Sequence, residues 1–598
     1  MITAYEHAIS DYALIGDTRT AALVSSRGSI DWMCVPRFDG EPIFGRLIGG
    51  EKSGSFSLRI DEVTNTTRRY LPRSGVLETQ LRSTGGTGRM VEGMVAAVSN
   101  RLLPQLILVR RVECRQGSVS LRVNFDPKLG LPGQSPTRVA RRGGTLVCEW
   151  GSLAVGLAAS PDIDVQVGYE TKIDLRAGSS LTVVMTLSDR SPVVLLSPER
   201  GYDLLRTTDR WWNEWASTTT YDGPFTEAVL RSLITLRLLT FSPSGAPVAA
   251  PTTSLPEVIG GKRNWDYRFS WPRDASIGLA AFISLGKEDE AHSFMHWLLH
   301  TGRLSRPRLR VLYTLYGKDS PAERELKGVT GYRSSLPVRT GNAACAQHQL
   351  DVYGWVLDAA WLLSRAGHRL HGETWRALSS FADFVAGHWR DPDAGIWEVR
   401  SEPAHYVHSK LMAWLCLDRT LRIAVVQRTP AARTKRWSRE RELLSADIRT
   451  HGFDDERGVY VRSYGSSDLD AALLILPILD FEDDQAKVKA TIAAIRRRLE
   501  PYPGMVYRYR PGSDSLTGIE GAFLPCAFWL VQALARTGEL EEATELFGRL
   551  LGHANDVGLF AEEADPITKE HLGNYPQAFT HAALIQAALS LSEEGQTV

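Results

Sequence analysis

Hydrophobic and polar positions follow two different rhythms along the chain. From about residue 20 to residue 200, short runs rich in β-branched residues alternate with Gly-containing turns, which is typical of antiparallel strands. One such pair is TAALV and SIDWMCV, with a turn at Arg27 and Gly28 between them. Many short strands at regular spacing predict an N-terminal antiparallel β-sandwich over residues 1–200.

The pattern changes near Tyr202, where the apolar residues of DLLRTTDRWWNEWAS repeat at helical spacing. We predict a linker helix over residues 201–223, followed by a C-terminal (α/α)6 barrel over residues 224–598. The barrel is inferred from twelve helical segments, which begin near Phe225, Asp274, Asp289, Ala343, Glu373, Tyr406, Lys435, Asp468, Gln485, Gly521, Leu540 and Gln577. An α-solenoid is the alternative, but the sequence has no repeat of fixed period.

The connections between these helices fall into two classes. In a barrel of α-hairpins, alternate connections emerge at opposite ends, and one set here is short and polar, as in LGKED and FEDDQ. The other set is roughly 17 to 40 residues long and carries most of the aromatic residues and arginines, as in GGKRNWDYRFSWPRD. Long loops of this kind are usually functional. The asymmetry predicts a binding cleft at one end of the barrel and plain scaffold at the other.

Composition excludes several classes of function. The 598 residues include 69 basic and 69 acidic side chains, so no excess of positive charge favours nucleic acid or an anionic membrane. No apolar run approaches the roughly 18 residues of a membrane span. The N-terminal MITAYEHAISDYALIG lacks the basic start of a signal peptide, and the six scattered cysteines are expected to be reduced core thiols. We therefore expect a cytoplasmic protein.

Two acidic residues of the long connections are candidates for chemistry. Glu398 lies in GIWEVR and Glu562 in AEEADP, within the third and sixth long connections, which face each other across a ring of six. Facing carboxyl groups are what glycoside hydrolysis requires, because one protonates the leaving oxygen while the other activates a water or attacks the sugar. Trp397 is suited to form a wall against a sugar ring. Taken alone, GIWEVR is better explained as a helix-entry loop with a surface ion pair, and only its place among the long connections changes that.

Other polar clusters have simpler explanations. Arg273 and Asp274 in WPRDAS would cap a helix, with Asp274 favouring its positive N-terminal end, although the same pair can also bind sugar hydroxyls. His405 and His408 are spaced like metal ligands but have no further ligand nearby in the sequence. Nothing predicts a Ser-His-Asp unit or a P-loop.

A series of motifs along the chain resembles glycoside hydrolase family fifteen, the glucoamylase family, and particularly its bacterial trehalase-like branch. SDYALIGDTRTAALVSSRGSIDWMCVPRFD comes first, and RNWDYRFSWPRDAS, PVRTGNAA, GIWEVR, EGAF and LGNYPQAFTHAALI follow in the order expected of the family. The resemblance covers nearly the whole chain. It is highly specific for the family and far less specific for the substrate.

The resemblance implies an inverting, exo-acting α-glucoside hydrolase that releases β-glucose from a non-reducing end, with α,α-trehalose as the first substrate to test. A glucoamylase acting on α-1,4 or α-1,6 glucosides is the alternative. A phosphorylase or a non-catalytic carbohydrate-binding protein is less favoured, because both carboxylates are present. The expected partner is a small disaccharide or oligosaccharide. Homo-oligomer formation and a requirement for phosphate or Mg²⁺ stay open, and no sequence motif predicts a metal site.

The same resemblance assigns roles to individual residues. Glu398 matches the family's general acid and Glu562 its general base. Arg273 and Asp274 match the pair that grips the terminal glucose. The remaining expected contacts of the sugar or the catalytic water are Trp271, Tyr267, Trp397, Arg339 and Arg508.

Three positions depart from the family's pattern. They are Pro272, Trp355 and Ala564. None of the three removes a catalytic group, so we expect them to affect substrate preference rather than the reaction type.

Overall fold

The computed structural model describes residues 7–96, 106–513, 518 and 520–595. Parts of two segments lie outside these residues: the start of the N-terminal MITAYEHAISDYALIG and a short stretch of the fifth long connection, which contains YRYRPGSDSLTGIEG. The described chain forms an N-terminal body of strands and a C-terminal body of helices.

The N-terminal body is an antiparallel sheet domain organised around one long strand. Its strands are β1 (Tyr12–Gly16), β2 (Ala21–Ser25), β3 (Ser29–Val35), β4 (Glu41–Phe44), β5 (Ser55–Ile60), β6 (Val63–Tyr70), β7 (Leu77–Ser83), β8 (Gly86–Met94), β9 (Leu106–Asp126), β10 (Arg138–Arg142), β11 (Thr145–Trp150), β12 (Leu153–Ser160), β13 (Glu170–Arg176) and β14 (Ser180–Asp189), with a single helical turn, α1 (Arg46–Gly49), after β4. The first half of β9 pairs with β8 and β14, and its second half pairs with β5 and β13. This strand therefore belongs to both layers, and the predicted antiparallel β-sandwich is confirmed.

Helix α2 (Pro198–Ser217) connects the two bodies. It begins where the Ser197 hydroxyl accepts a hydrogen bond of 3.3 Å from the Arg200 backbone, with Pro198 in the first turn, both of which favour a helix start. Leu205 and Trp212 are buried on one face of the helix, which packs against β9 and β14.

The C-terminal body contains the twelve predicted helical segments. Eleven are α-helices: α3 (Thr226–Leu238), α4 (Pro272–Ser284), α5 (Glu288–Thr301), α6 (Asp351–Arg365), α7 (Gly372–His388), α8 (Val407–Val426), α9 (Ala431–His451), α10 (Gln485–Leu499), α11 (Leu524–Arg536), α12 (Leu540–Leu551) and α13 (Ala578–Gly595). The segment predicted to begin near Asp468 is a 3₁₀ helix, Ala471–Ile478, because in an α-helix the ring of Pro477 would clash with the carbonyl group four residues before it. The segment predicted from Ala343 is only a 3₁₀ turn, and α6 begins at Asp351.

Six of these segments form a closed inner ring. In order of contact they are α4, α6, α8, the 3₁₀ helix, α11 and α13, which packs back against α4. Nearly every residue of α11 is buried, as expected of a helix surrounded by others. The remaining helices form the outer layer, and the predicted (α/α)6 barrel is confirmed.

Each long connection enters an inner helix at its N-terminus. The six connections are 239–271, 302–350, 389–406, 452–470, 500–523 and 552–577, and they carry the short strands β15 (Thr240–Phe241), β16 (Ala246–Pro247), β17 (Arg324–Leu326), β18 (Val338–Thr340), β19 (Phe453–Asp454), β20 (Val459–Tyr460), β21 (Ala522–Phe523), β22 (Glu563–Ala564) and β23 (His571–Leu572). All six therefore meet at one rim, where the positive ends of the inner helix dipoles also point.

The sheet domain braces two of these connections. The Trp32 indole donates a hydrogen bond of 2.8 Å to the Pro251 carbonyl, and Arg268 Nη1 donates one of 2.8 Å to the Gly40 carbonyl. At the last connection, the Tyr575 hydroxyl donates to the Tyr12 carbonyl at 2.6 Å. The first and last long connections are thus fixed to the β-strands as well as to the barrel.

Two expectations about the chain as a whole can be compared with the structure. All six cysteines are free thiols, and only Cys345 is not buried. Within the described ranges, no helix is both long enough and apolar enough to serve as a membrane span.

Candidate active site

A cavity of about 290 Å³ opens at the rim where the long connections meet. Its volume lies near the lower end of the roughly 300–1,000 Å³ that is usual for small-molecule sites. The sequence-predicted residues that line it are Tyr267, Trp271, Arg273, Asp274, Trp397, Glu398, Arg508 and Glu562. The structure therefore brings together residues from four of the six long connections and from the first turn of α4.

Glu398 reaches the cavity from the connection that precedes α8. Its backbone has φ of +57°, in the left-handed region that non-glycine residues seldom adopt. Glu398 Oε1 accepts a hydrogen bond of 2.7 Å from the Trp271 indole and lies 3.5 Å from Arg273 Nη1. Burial raises the pKa of Glu398, while the charge of Arg273 and the Trp271 N–H oppose that rise.

Glu562 reaches the cavity from the connection that precedes α13, and only 1% of its surface is exposed. The Tyr267 hydroxyl donates a hydrogen bond of 2.7 Å to Oε1, and the Asn574 backbone N–H donates one of 3.3 Å to Oε2. Burial and the negative charge of Glu257 raise the pKa of Glu562, whereas Arg508 and the two hydrogen bonds favour its ionised form.

One short stretch of chain holds both carboxyl groups. Tyr267 and Trp271 are four residues apart, and their ring centroids lie 5.5 Å apart at an interplanar angle of 67°. Tyr267 binds Glu562 and Trp271 binds Glu398, so each carboxyl group is held by one of two contacting rings. A space bounded by both acids and by aromatic surface is suited to a sugar ring and a water molecule.

Arg273 and Asp274 occupy the first turn of α4. Arg273 Nε donates a hydrogen bond of 2.7 Å to Asp274 Oδ1, and Arg273 Nη1 donates one of 2.9 Å to the Ile396 carbonyl. These bonds tie α4 to the connection that carries Glu398. On the same connection, the Trp397 indole donates to Asp470 Oδ1 at 2.8 Å, which fixes the ring that lines the cavity.

Arg339 does not line the cavity, in contrast to the expectation of direct contact with the sugar. Its Nη1 donates hydrogen bonds to the carbonyls of Lys262 at 2.8 Å and Asn264 at 3.2 Å. Its guanidinium group lies 4.6 Å from the centroid of the Trp265 ring, and it is Trp265 that lines the cavity. Arg339 therefore supports an aromatic residue of the wall from behind.

Arg508 lies at the centre of a buried acidic cluster. Its Nη2 is 2.8 Å from Glu257, 2.7 Å from Glu520 and 3.1 Å from Glu563. These three carboxyl groups are the kind of set that could hold Mg²⁺. The guanidinium nitrogen already lies among their oxygens, where the ion would have to sit. The cluster therefore does not fit a divalent cation.

Sequence reasoning missed several residues of the site, namely Glu257, Trp265, Asn342, Gln347 and Gln577, all of which line the cavity. Trp265, Asn342 and Gln577 lie within the quoted motifs RNWDYRFSWPRDAS, PVRTGNAA and LGNYPQAFTHAALI, so these motifs were a usable signal. Glu257 had no such signal, because its partners are distant in the chain.

Comparison with known proteins agrees with this geometry. The family model of glycosyl hydrolases family 15 matches residues 223–589, and the model described as trehalase-like, N-terminal, matches residues 3–197. The chain belongs to glycosyl hydrolase family 15. It is thus a glycoside hydrolase, and the resemblance inferred from the motifs is confirmed.

Relatives of this family 15 hydrolase match over nearly their whole length. A trehalase of Mycolicibacterium smegmatis is 35% identical, covering 97% of this chain and 91% of the relative. A trehalase of Thermoplasma volcanium is 31% identical, covering 98% and 94%. A bacterial glucoamylase crystallised with acarbose superimposes with a TM-score of 0.72 at 13% identity, covering 99% of this chain and 94% of that one, and therefore supports the fold alone.

Gly573 places Glu562, which gives a direct test of the site. The φ of Gly573 is +73°, and a Cβ there would lie 2.4 Å from Glu562 Oε2. Gly573→Ala is expected to displace the carboxyl group and lower kcat for α-glucoside hydrolysis about 100-fold, since small misplacements have effects of that size. The measurement is steady-state kinetics on the purified variant.

Gly458→Ala is the matched control. Gly458 has a similar φ of +67°, but a Cβ there would meet no atom within 4 Å. Both variants therefore carry about 1 kcal/mol of backbone strain, and only Gly573→Ala should lose turnover. An equal loss in both variants would contradict the placement of Glu562 by Gly573.

Proposed function

We propose that the protein hydrolyses α,α-trehalose with inversion of configuration, with Glu398 as general acid and Glu562 as general base. The observation that carries the proposal is that both carboxyl groups line one small cavity, with Glu562 held by Tyr267 and Glu398 held by Trp271. The substrate is suggested by the trehalases that match over nearly the whole chain.

In this proposal the terminal glucose lies in the cavity, gripped by Arg273 and Asp274 and bounded by Trp271 and Trp397. Glu398 gives its proton to the bridging oxygen as that bond breaks. Glu562 takes a proton from a water molecule held near Tyr267, and the water attacks the anomeric carbon from the opposite face. Arg508 contributes positive charge to the wall of the cavity.

Inversion is proposed from the resemblance of the motifs to the family, in which the residue at the position of Glu562 activates a water. A retaining enzyme places its two carboxyl groups about 5–5.5 Å apart, so that one can bond to the sugar, while an inverting enzyme leaves room for a water. Tyr267 binds Glu562 and Trp271 binds Glu398, and the two rings contact each other with their centroids 5.5 Å apart. A phosphorylase has no use for a base at the position of Glu562.

We also propose a cytoplasmic location. The support is that the six cysteines are all unpaired, as is usual for proteins of a reducing compartment.

Trehalose is expected to give glucose in equal amounts of the two anomers at early times. Water attack with inversion produces β-glucose from one half, and the leaving half keeps its α configuration. Proton NMR during the first turnovers distinguishes the anomers, with maltose, isomaltose and dextrin as parallel substrates. Release of α-glucose alone would contradict inversion, and faster hydrolysis of maltose or dextrin would favour the glucoamylase alternative.

A substrate whose leaving group needs no proton distinguishes the general acid from the general base. Glu398→Gln and Glu562→Gln should each lower kcat on trehalose by about 10²–10⁴-fold, which is the usual contribution of a general acid or base. With α-glucosyl fluoride the leaving group needs no proton. Glu398→Gln should therefore regain most of its activity on the fluoride, whereas Glu562→Gln should not. The opposite pattern would exchange the two roles.

The pH profile of kcat/KM offers an independent assignment. The acid must be protonated, so activity falls as pH rises through the pKa of Glu398, and Trp271→Phe should move that limb to higher pH. The base must be ionised, so activity falls as pH drops through the pKa of Glu562, and Tyr267→Phe should move that limb to higher pH. Each lost bond to a charged group corresponds to about one pH unit. An alkaline limb that moves in Tyr267→Phe would refute the assignment.

A further inference from the structure

Glu563, the neighbour of the proposed base, turns into the protein rather than into the cavity. Successive side chains of a strand point to opposite faces, and Glu563 begins β22 directly after Glu562. Its carboxyl group is fully buried. One oxygen of Glu563 lies within 4.8 Å of an oxygen of Glu257 and an oxygen of Glu520.

The hydrogen bonds in this cluster can be counted oxygen by oxygen. Arg508 Nη2 carries two hydrogens, and they are donated to Glu257 Oε2 and Glu520 Oε2. The second oxygens of these two groups also have donors, since the Trp265 indole donates to Glu257 Oε1 and Arg508 Nε donates to Glu520 Oε1.

Glu563 is different from the other two acids. Its Oε2 accepts a hydrogen bond of 2.8 Å from the Gly521 backbone N–H. Its Oε1 lies 3.1 Å from Arg508 Nη2, whose hydrogens are already used, and it has no hydrogen-bond partner among the residues that the structure describes. Of the six carboxyl oxygens, this is the one that receives no hydrogen. A buried, ionised oxygen without a donor is strongly unfavourable.

We propose that Glu563 is a protonated carboxylic acid in the working enzyme, that its Oε1–H is donated to a neighbouring carboxylate oxygen of the cluster, and that its neutrality keeps Glu562 ionised. This last step rests on the proposed role of Glu562 as the base.

The charge balance of the cluster supports this state. The charged groups that face Glu563 are Arg508, Glu257, Glu520 and Glu562. Arg263 adds a second positive charge, 3.1 Å from Glu520 and 3.8 Å from Glu257. Among these described groups, a neutral Glu563 leaves the two guanidinium charges to balance Glu257 and Glu520, with Glu562 as the remaining negative charge.

The electrostatic surroundings point in the same direction. Burial raises the pKa of Glu563 well above its ordinary value, and the charges of Glu257, Glu520 and Glu562 add to the rise against the opposing effect of Arg508. An ionised Glu563 would place a second negative charge beside Glu562 and raise the pKa of that group further.

The pH dependence of stability tests the protonation state without reference to activity. A carboxyl group whose pKa is raised by folding binds more protons in the folded state than in the unfolded state. Its contribution to the free energy of unfolding is therefore fully favourable below its ordinary pKa and becomes unfavourable as pH rises. Glu563→Gln has no proton to lose. We expect it to match the wild-type Tm near pH 4, close to the ordinary pKa of a glutamate, and to exceed it increasingly as pH rises from there towards neutrality.

Glu520→Gln is the matched control within the same cluster. Glu520 accepts two hydrogen bonds from Arg508, so removal of its charge leaves buried guanidinium groups without their partner. Its Tm should fall below that of the wild type at neutral pH. A fall in Tm of Glu563→Gln at neutral pH, or a failure of that variant to fold, would overturn the proposal, because an amide reproduces the shape and neutrality of the protonated acid.

Infrared spectroscopy observes the proton directly. A protonated carboxylic acid has a carbonyl band distinct from that of a carboxylate, and a wild-type minus Glu563→Gln difference spectrum at neutral pH should contain it. A difference spectrum with only carboxylate bands would overturn the proposal, whatever the role of Glu562.

Kinetics test the effect on Glu562. On trehalose, Glu563→Gln should keep the wild-type kcat/KM and an unchanged acid limb of the pH profile, because a neutral amide replaces a neutral carboxylic acid. A limb that moves to lower pH would mean that the wild-type Glu563 carries a negative charge, which would overturn the proposal. If Glu562 proves not to be the base, the infrared and Tm results still decide the protonation state of Glu563.

Discussion

The hydrogen bonds from Tyr267 to Glu562 and from Trp271 to Glu398 are the interactions on which the geometry of the site depends. The two acids belong to connections on opposite sides of the barrel, and no secondary structure joins them. The segment from Tyr267 to Trp271, in the first long connection, binds both, so each carboxyl group is held by one of two contacting aromatic rings. Aromatic side chains suit this task, since they have few rotatable bonds and a polar group at the end.

The segment from Tyr267 to Trp271 is itself held by the β-sandwich. Arg268, between the two aromatic residues, binds the Gly40 carbonyl of the sheet domain and forms paired hydrogen bonds of 2.8 Å with Asp266. A bidentate Arg–carboxylate pair fixes orientation as well as position. The N-terminal domain therefore contributes to the site through the backbone of the first connection, although every described residue that lines the cavity belongs to the C-terminal body.

Much of this architecture could be predicted from local sequence. Hydrophobic periodicity located the twelve helical segments, and the lengths of the connections identified the rim that holds the cavity. The errors have local causes too: Pro477 makes one segment a 3₁₀ helix, and α6 begins at Asp351 rather than at the apolar run from Ala343. The cluster around Arg508 could not be predicted, because Glu257 lies 251 residues away from Arg508 in the chain. Arg339 was placed in the cavity because its motif is near the site, but a motif does not state which way a side chain turns.

The backbone of Glu398 suggests that the site is organised before a sugar binds. Its left-handed conformation costs roughly 1–2 kcal/mol in a residue with a Cβ, so other contacts must hold it. The Gln347 side chain donates hydrogen bonds to the carbonyls of Glu398 at 3.1 Å and Val399 at 3.2 Å, and Arg273 binds the carbonyl of Ile396. These bonds hold the strained peptide from both sides in the free protein. A carboxyl group fixed in this way needs little reorganisation when charge develops on the departing oxygen, which is the condition under which electrostatic stabilisation is most effective.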